Sequence, residues 1–220
     1  MGLRVLYSDN DLCICVKPVG VSSEAEGMPS LLKSLFPGKD VFPVHRLDQS
    51  VGGIMIYALN RNTAAILTNM FADNMVRKEY LAVIPGIPEE PDGVMTDWLW
   101  HDKKSNKTYV VKSKRKGVKK AELGWILQKH CSVSAGTFSL IRVALHTGRS
   151  HQIRIQFASR KMPLIGDGKY GSRIKSAGIA LWSYRITFRH PVSHEMMEFS
   201  CEPDQNEFPF SLFFGQVNNE

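Results

Sequence analysis

Short apolar runs broken by turn residues dominate the chain. "VLYS", "LCICV", "GGIMIYAL", "EYLAVIPG", "TFSLIRVAL", "IALWSYRITF" and "MMEFSC" are rich in β-branched and aromatic residues, which predicts strands. Two stretches carry helical spacing instead. "NRNTAAILTNMFADN" opens on Asn60, a residue type that caps helices, and "TGRSHQIRIQFASRK" repeats apolar positions through Ile153, Phe157 and Ala158. Two helices against seven or more strands predict an α+β fold, with a mixed, mainly antiparallel sheet and flanking helices. No internal repeat or low-complexity linker interrupts the pattern, so residues 1–220 are expected to form a single domain.

Composition narrows the partners. A chain of 220 residues, 43% of them hydrophobic, can bury one sizeable core. Its net charge of +7 favours a polyanion such as nucleic acid. Cys13, Cys15, Cys131 and Cys201 form no C-x-x-C pair and stand among apolar residues, which argues against zinc and disulfides and for a reducing compartment. "MGLRVLYSDN" lacks a signal-peptide core, Gly2 lacks the Ser or Thr of a myristoylation site, and no run is long enough to span a membrane. The expected location is the cytoplasm, with no obligatory protein partner and a monomer as the default.

One composition shift stands out. In "HDKKSNKTYVVKSKRKGVKK" nine of twenty residues are Lys or Arg and only Asp102 is acidic. A solvated hairpin and an RNA contact both account for such a run.

Several motif matches fail on context. "GDGKYG" fits the dinucleotide pattern G-x-G-x-x-G but follows a helix and lacks the downstream acid. His190 and His194 are separated by Pro191 and have no third ligand nearby, so turn histidines are expected instead of a metal pair. There is neither an H-E-x-x-H nor a G-x-S-x-G.

Asp48, in "VHRLDQSVGGIMIYA", remains. A lone acid beside Gly52 and Gly53 can cap a turn, or it can face a ligand where the glycines allow close backbone approach. In "HTGRSHQIRIQFA", Arg149, Gln152 and Arg154 cannot share one helix face, so some of these polar groups must point inward. A buried arginine needs a buried acid, and Asp48 is a candidate.

These segments together resemble the RluA family of pseudouridine synthases. "HRLDQSVGGIMIYA" resembles that family's H-R-L-D-x-x-T-S-G-L, "RKEYLAVIPG" its K-x-Y-x-A-x-x-x-G strand, and "HTGRSHQIRIQFASRKMPLIGDGKYG" its T-G-R-x-H-Q-I-R-x-H with the following proline and G-D-x-x-Y-G. "YSDNDLCICVKPVGV" and "HPVSHEMMEFSCEP" resemble its opening strand pair and closing hairpin, so the likeness runs from about Tyr7 to Pro203. The resemblance implies a catalytic domain with a central active-site cleft. It also implies isomerisation of uridine to pseudouridine in structured tRNA or rRNA, with one aspartate, no cofactor and no metal. The family's catalytic acid falls on Asp48, and the arginine that keeps it ionised on Arg154. Tyr80 falls where the family's tyrosine stacks on the base and handles the C5 proton. Leu164 and Ile165 fall on apolar walls, and Arg46 on the arginine that braces the gap left by the flipped base. His45 would bind RNA, and Arg149, His151 and Gln152 would bind RNA or serve hydrogen bonds inside the motif. Lys103, Lys104, Lys114, Arg115 and Lys116 would add RNA affinity to a chain expected to lack the family's S4 domain, since the likeness begins near residue 7.

The chain departs from the family pattern where Val51 and Gly52 replace Thr and Ser, and where Gln156 replaces a histidine. Val51 loses a hydrogen bond, and Gly52 is expected to loosen the loop that holds Asp48. A catalytically silent RNA-binding or RNA-folding protein is the alternative these departures leave open. A metal-dependent nuclease would need more acids near Asp48 than the chain offers.

Overall fold

The computed structural model describes residues 2–24 and 26–214. It divides into two compact units, residues 1–78 with 182–203, and residues 79–181 with 204–220.

In the first unit β1 (Val5–Ser8) and β2 (Leu12–Lys17) form a hairpin, and β2 pairs antiparallel with β4 (Gly52–Ala58), onto which the two-residue β3 (Phe42–Pro43) also adds. β10 (Leu181–Arg189) runs parallel to β4 and antiparallel to β11 (Met196–Ser200), so the sheet is mixed as expected. Helix α2 (Arg61–Ala72) starts where the sequence predicts, with Asn60 Oδ1 accepting the Thr63 N–H at 2.9 Å. Its Leu67 and Met70 join Leu12, Ile14, Ile54, Ile56, Ile186 and Phe188 in one core. Each such side chain contributes about 1.5–3 kcal/mol on burial. Met55 and Tyr57, on the other face of β4, are buried as well, and the Tyr57 hydroxyl donates to Ser23 O at 3.1 Å. Burial on both faces explains why "GGIMIYAL" is continuously apolar instead of alternating. Helix α1 (Met28–Lys33) leaves no mark in the apolar spacing because it is only six residues long; Pro29 fits its first turn, and Met28 and Leu32 are fully buried.

The second unit holds an antiparallel sheet in the order β5-β9-β8-β6-β7, formed by β5 (Arg77–Pro85), β6 (Asp92–Asp102), β7 (Lys107–Val111), β8 (Val118–Val133) and β9 (Gly136–Leu145). β6 and β8 escape the strand prediction for a physical reason. Met95, Leu99, Ala121 and Leu123 are buried on one face, but the other carries Trp98 and Trp100 among Thr96, Lys120 and Glu122. Large apolar residues therefore fall on both parities and blur the alternation. The lysine-rich run is a pair of turns around β7, in keeping with a hairpin.

Helix α3 (Gln152–Ser159) is shorter than its predicted stretch because His151 takes a left-handed conformation, φ 54°, at its start. The preceding residues form a loop gathered by Gln152, whose Oε1 accepts from Thr147 Oγ1 at 2.8 Å and the Arg149 N–H at 3.0 Å. A single 3-10 turn (Gly168–Tyr170) and a short α4 (Ser211–Phe214) complete the unit. Among the described residues no helix is long and apolar enough to cross a membrane.

Candidate active site

Asp48 lies in a loop whose backbone is fixed from several directions. Ser23 Oγ donates to Leu47 O at 3.0 Å, the Val51 N–H to Asp48 O at 2.9 Å, and the Gly20 N–H to Gln49 O at 2.8 Å. Lys17, in the "KPVG" motif, is a buried cation beside this loop that sequence reasoning misses. Its fully buried ammonium donates to Pro18 O at 2.9 Å, Val21 O at 2.7 Å and Gln49 O at 3.2 Å. Burial pulls the Lys17 amine down to about 8, and the negative charge of Asp48 acts against that fall.

The glycine pair does not loosen this loop, contrary to expectation. A Cβ on Gly52 would stand 2.4 Å from Trp182 Cζ3, and one on Gly53, where φ is +115°, would stand 2.4 Å from Ser183 O. The indole of Trp182 is itself anchored, its Nε1 donating to Cys201 O at 2.7 Å. It is the neighbouring strand that approaches closely here: Trp182 pairs with Gly52 and Ser183 with Gly53. Serine at position 52 would collide with the ring, so the departure from the family pattern is matched to Trp182.

The residues before Asp48 differ in exposure. Arg46 is 62% exposed and only 3.7 Å from the equally open Glu24 carboxylate, a weak pair that leaves the guanidinium accessible. His45 serves the fold: its Nε2 accepts the Ile56 N–H at 3.0 Å, and its ring stacks on Phe71 with centroids 4.4 Å apart. Burial, with Lys78 nearby, pulls its pKa down to about 3, so the ring is neutral. This replaces the expected RNA contact of His45 with a structural task.

In the second unit Tyr80 sits on β5, 6% exposed and opposite Val143. Arg154 is buried on α3, and Asp167 clamps it through Nε–Oδ2 at 2.7 Å and Nη2–Oδ1 at 2.9 Å. Asp167 belongs to "GDGKYG", a string in which nothing marks it as the partner of an arginine. The Tyr170 ring lies 5.1 Å from the guanidinium; its hydroxyl accepts the Thr108 N–H at 2.7 Å and lies 2.8 Å from His151 Nδ1. Burial pushes this phenol up.

The motif's polar residues also hydrogen-bond to the adjoining strand β8. Gln152 Nε2 donates to Glu122 O at 3.0 Å, and Arg149 Nε to Lys120 O at 3.0 Å. Gln156, in place of the family histidine, ties α3 to β6 by donating to Met95 O at 3.1 Å and Asp97 Oδ2 at 2.7 Å. Leu164 and Ile165 are fully buried, and Lys103, Lys104, Lys114, Arg115 and Lys116 are exposed. His190 is the turn histidine expected, its Nδ1 accepting the Ser193 N–H at 3.0 Å and its Nε2 2.9 Å from Asp9.

Comparison with known proteins decides the family. A family model described as RNA pseudouridylate synthase matches residues 11–159. The chain belongs to this family. Among curated relatives, tRNA pseudouridine synthase C of Pasteurella multocida is 25% identical over 93% of each chain. The dual-specificity RNA pseudouridine synthase RluA of Haemophilus influenzae is 28% identical, covering 92% of this chain and 94% of its own. In fold, the human RNA pseudouridylate synthase domain containing 1 superposes with a TM-score of 0.78 at 24% identity, over 92% of this chain and 84% of that one. The RluA-type assignment, the mixed α+β fold and the enzyme class expected from the motifs are borne out.

Proposed function

We propose that this pseudouridine synthase isomerises uridine in tRNA or rRNA, without a cofactor and with Asp48 as its single catalytic carboxylate. The observation that carries the proposal is the family match over residues 11–159, a span that contains Asp48, Tyr80 and Arg154 together with their motifs.

The reaction balances without a co-reactant. The bond from N1 to C1′ breaks, the base turns, C5 bonds to C1′, the C5 proton leaves and N1 takes up a proton. Asp48 attacks C1′, attacks C6 or removes the 2′ proton, and each route requires the carboxylate. Three loop carbonyls held by one buried ammonium favour a fixed carboxylate position, and preorganisation of this kind lowers the cost of reaching the transition state. Arg154 is the proposed counter-charge, already oriented by Asp167. Tyr80 stacks on the extruded base, and its hydroxyl accepts or relays the C5 proton. Exposed Arg46 braces the gap in the RNA stack, since a planar cation can stack and hydrogen-bond at once. His45 is left out of this RNA-facing set.

Pseudouridine mapping of total RNA with and without the protein tests the activity and names the position. Loss of specific sites is expected, and an unchanged map would overturn the proposal. Tyr80→Phe should bind RNA as before yet release tritium from C5-labelled uridine far more slowly; wild-type release would remove the hydroxyl from the mechanism.

A further inference from the structure

The outer face of the β6–β7 hairpin combines features that the catalytic assignment does not use. Trp100 and Tyr109 are direct cross-strand partners, with ring centroids 5.8 Å apart and planes within 29°. Trp98 lies two residues along on the same face, opposite Val111 and Lys120. Tyr109 is 39% exposed, and neither Trp98 nor Trp100 is fully buried. Among the described residues neither of these indole N–H groups has an acceptor, whereas that of Trp182 does.

Cations flank the rings at both ends of β7. Lys103 and Lys104 are exposed in the turn before it, and Lys112, Lys114, Arg115 and Lys116 in the turn after it. Lys107 Nζ lies 5.8 Å from the Tyr109 centroid. A strand rise of about 3.3 Å per residue separates the two clusters by roughly 16 Å. The nearby acids are engaged: Asp102 accepts from the Lys104 N–H at 2.9 Å and Ser105 Oγ at 2.6 Å, and Glu122 pairs with Lys120 at 2.9 Å and His146 at 3.3 Å.

We propose that this face docks an unpaired RNA strand, its bases stacking on Trp100 and Tyr109 and its phosphates held by the basic turns at either end of β7. The inference rests on the reading of the chain as an RNA-modifying enzyme and adds the kind of RNA it grips. Charge complementarity selects a polyanion, and the open aromatic faces select one whose bases are not already stacked in a duplex. The register Tyr80–Val143–Trp125–Gly93 puts Tyr80 and Trp100 on opposite faces of this unit's sheet, so the docked strand lies outside the reacting uridine.

The probes are an oligocytidylate, which offers no uridine to the catalytic residues, and a blunt RNA duplex of equal length. Replacing both Trp100 and Tyr109 with Ala should weaken oligocytidylate binding by roughly five- to a hundredfold while duplex binding stays within about twofold. Phe at both positions should keep most of the affinity, which guards against misreading a damaged hairpin. A 5-iodocytidine oligonucleotide should photocrosslink to wild-type peptides carrying Trp100 or Tyr109. Equal losses on both RNAs, Phe as harmful as Ala, or crosslinks confined elsewhere would each overturn the proposal. Pseudouridine formation by the wild type, measured in parallel, reports on the isomerase reading separately: the platform can fail while that activity stands, and the reverse.

Discussion

Of the tryptophans that lie against glycines among the described residues, Trp182 and Trp100 do so in opposite ways. Trp182 covers Gly52 so closely that a Cβ would meet the ring at 2.4 Å, and its indole is tied to Cys201. Trp100 leaves Gly117 room, its nearest atom 3.8 Å from a Cβ, and its indole N–H is uncommitted among the described residues. Gly52 is there for space; Gly117, at φ +82°, is there for backbone conformation. The same pair of residue types thus makes a rigid frame beside Asp48 and an open ring on the hairpin.

The largest effect should come from filling the tight contact. Gly52→Ser, which restores the family's residue, should destabilise the protein by about 2–3 kcal/mol through overpacking, read as a lower urea midpoint. Adding Trp182→Leu should recover part of that loss, giving a double-mutant coupling that independent sites would lack. Simple additivity would mean that Gly52 and Trp182 are not matched.

Next comes a pH effect in the same frame. The folded chain keeps His45 neutral down to about pH 3, while the unfolded chain protonates it below its ordinary 6.5. The unfolded state therefore binds the extra proton across that window, so stability contributed by this site is complete above pH 6.5 and falls as the pH drops toward 3. His45→Gln, which can still accept the Ile56 N–H, should remove roughly 2 kcal/mol of the stability lost between about pH 7 and 4.5. An identical acid limb in wild type and variant would refute the assignment.

How much of this is legible in the sequence follows from how local each feature is. Asn60 announces α2 because capping is decided within three residues, and β4 announces itself because it is apolar throughout. Asp48 and Arg154 are singled out as candidates through motifs, which record chemistry in short strings. The tasks of Gly52 and Lys17 stay hidden because Trp182 and Gln49 are brought to them by the fold. Asp167 escapes notice for the same reason: a partner thirteen residues away carries no periodic signal. β6 and β8 are masked because Trp98 and Trp100 put apolar bulk on the outer face.

On the open side of the comparison the effects should be smaller. Gly117→Ala should cost about 1 kcal/mol from left-handed strain alone, and Gly117→Asn less, since Asn tolerates that conformation. Equal costs for the two would point to crowding by Trp100 instead. Replacing Lys112, Lys114, Arg115 and Lys116 with Gln should change stability by less than about 0.5 kcal/mol. It should flatten the salt dependence of RNA affinity by roughly 0.7–0.9 log units for each phosphate no longer neutralised. An unchanged slope would make the run a solvated hairpin and nothing more.

The most direct measurement is pseudouridine formation by Asp48→Asn on the RNA that the wild type modifies, with binding of that RNA measured alongside. The substitution keeps the side chain's shape and removes only its charge and nucleophilic oxygen. Turnover should vanish while RNA affinity stays within a few-fold of wild type, and pseudouridine made by the pure variant would contradict the assignment of Asp48 as the essential carboxylate.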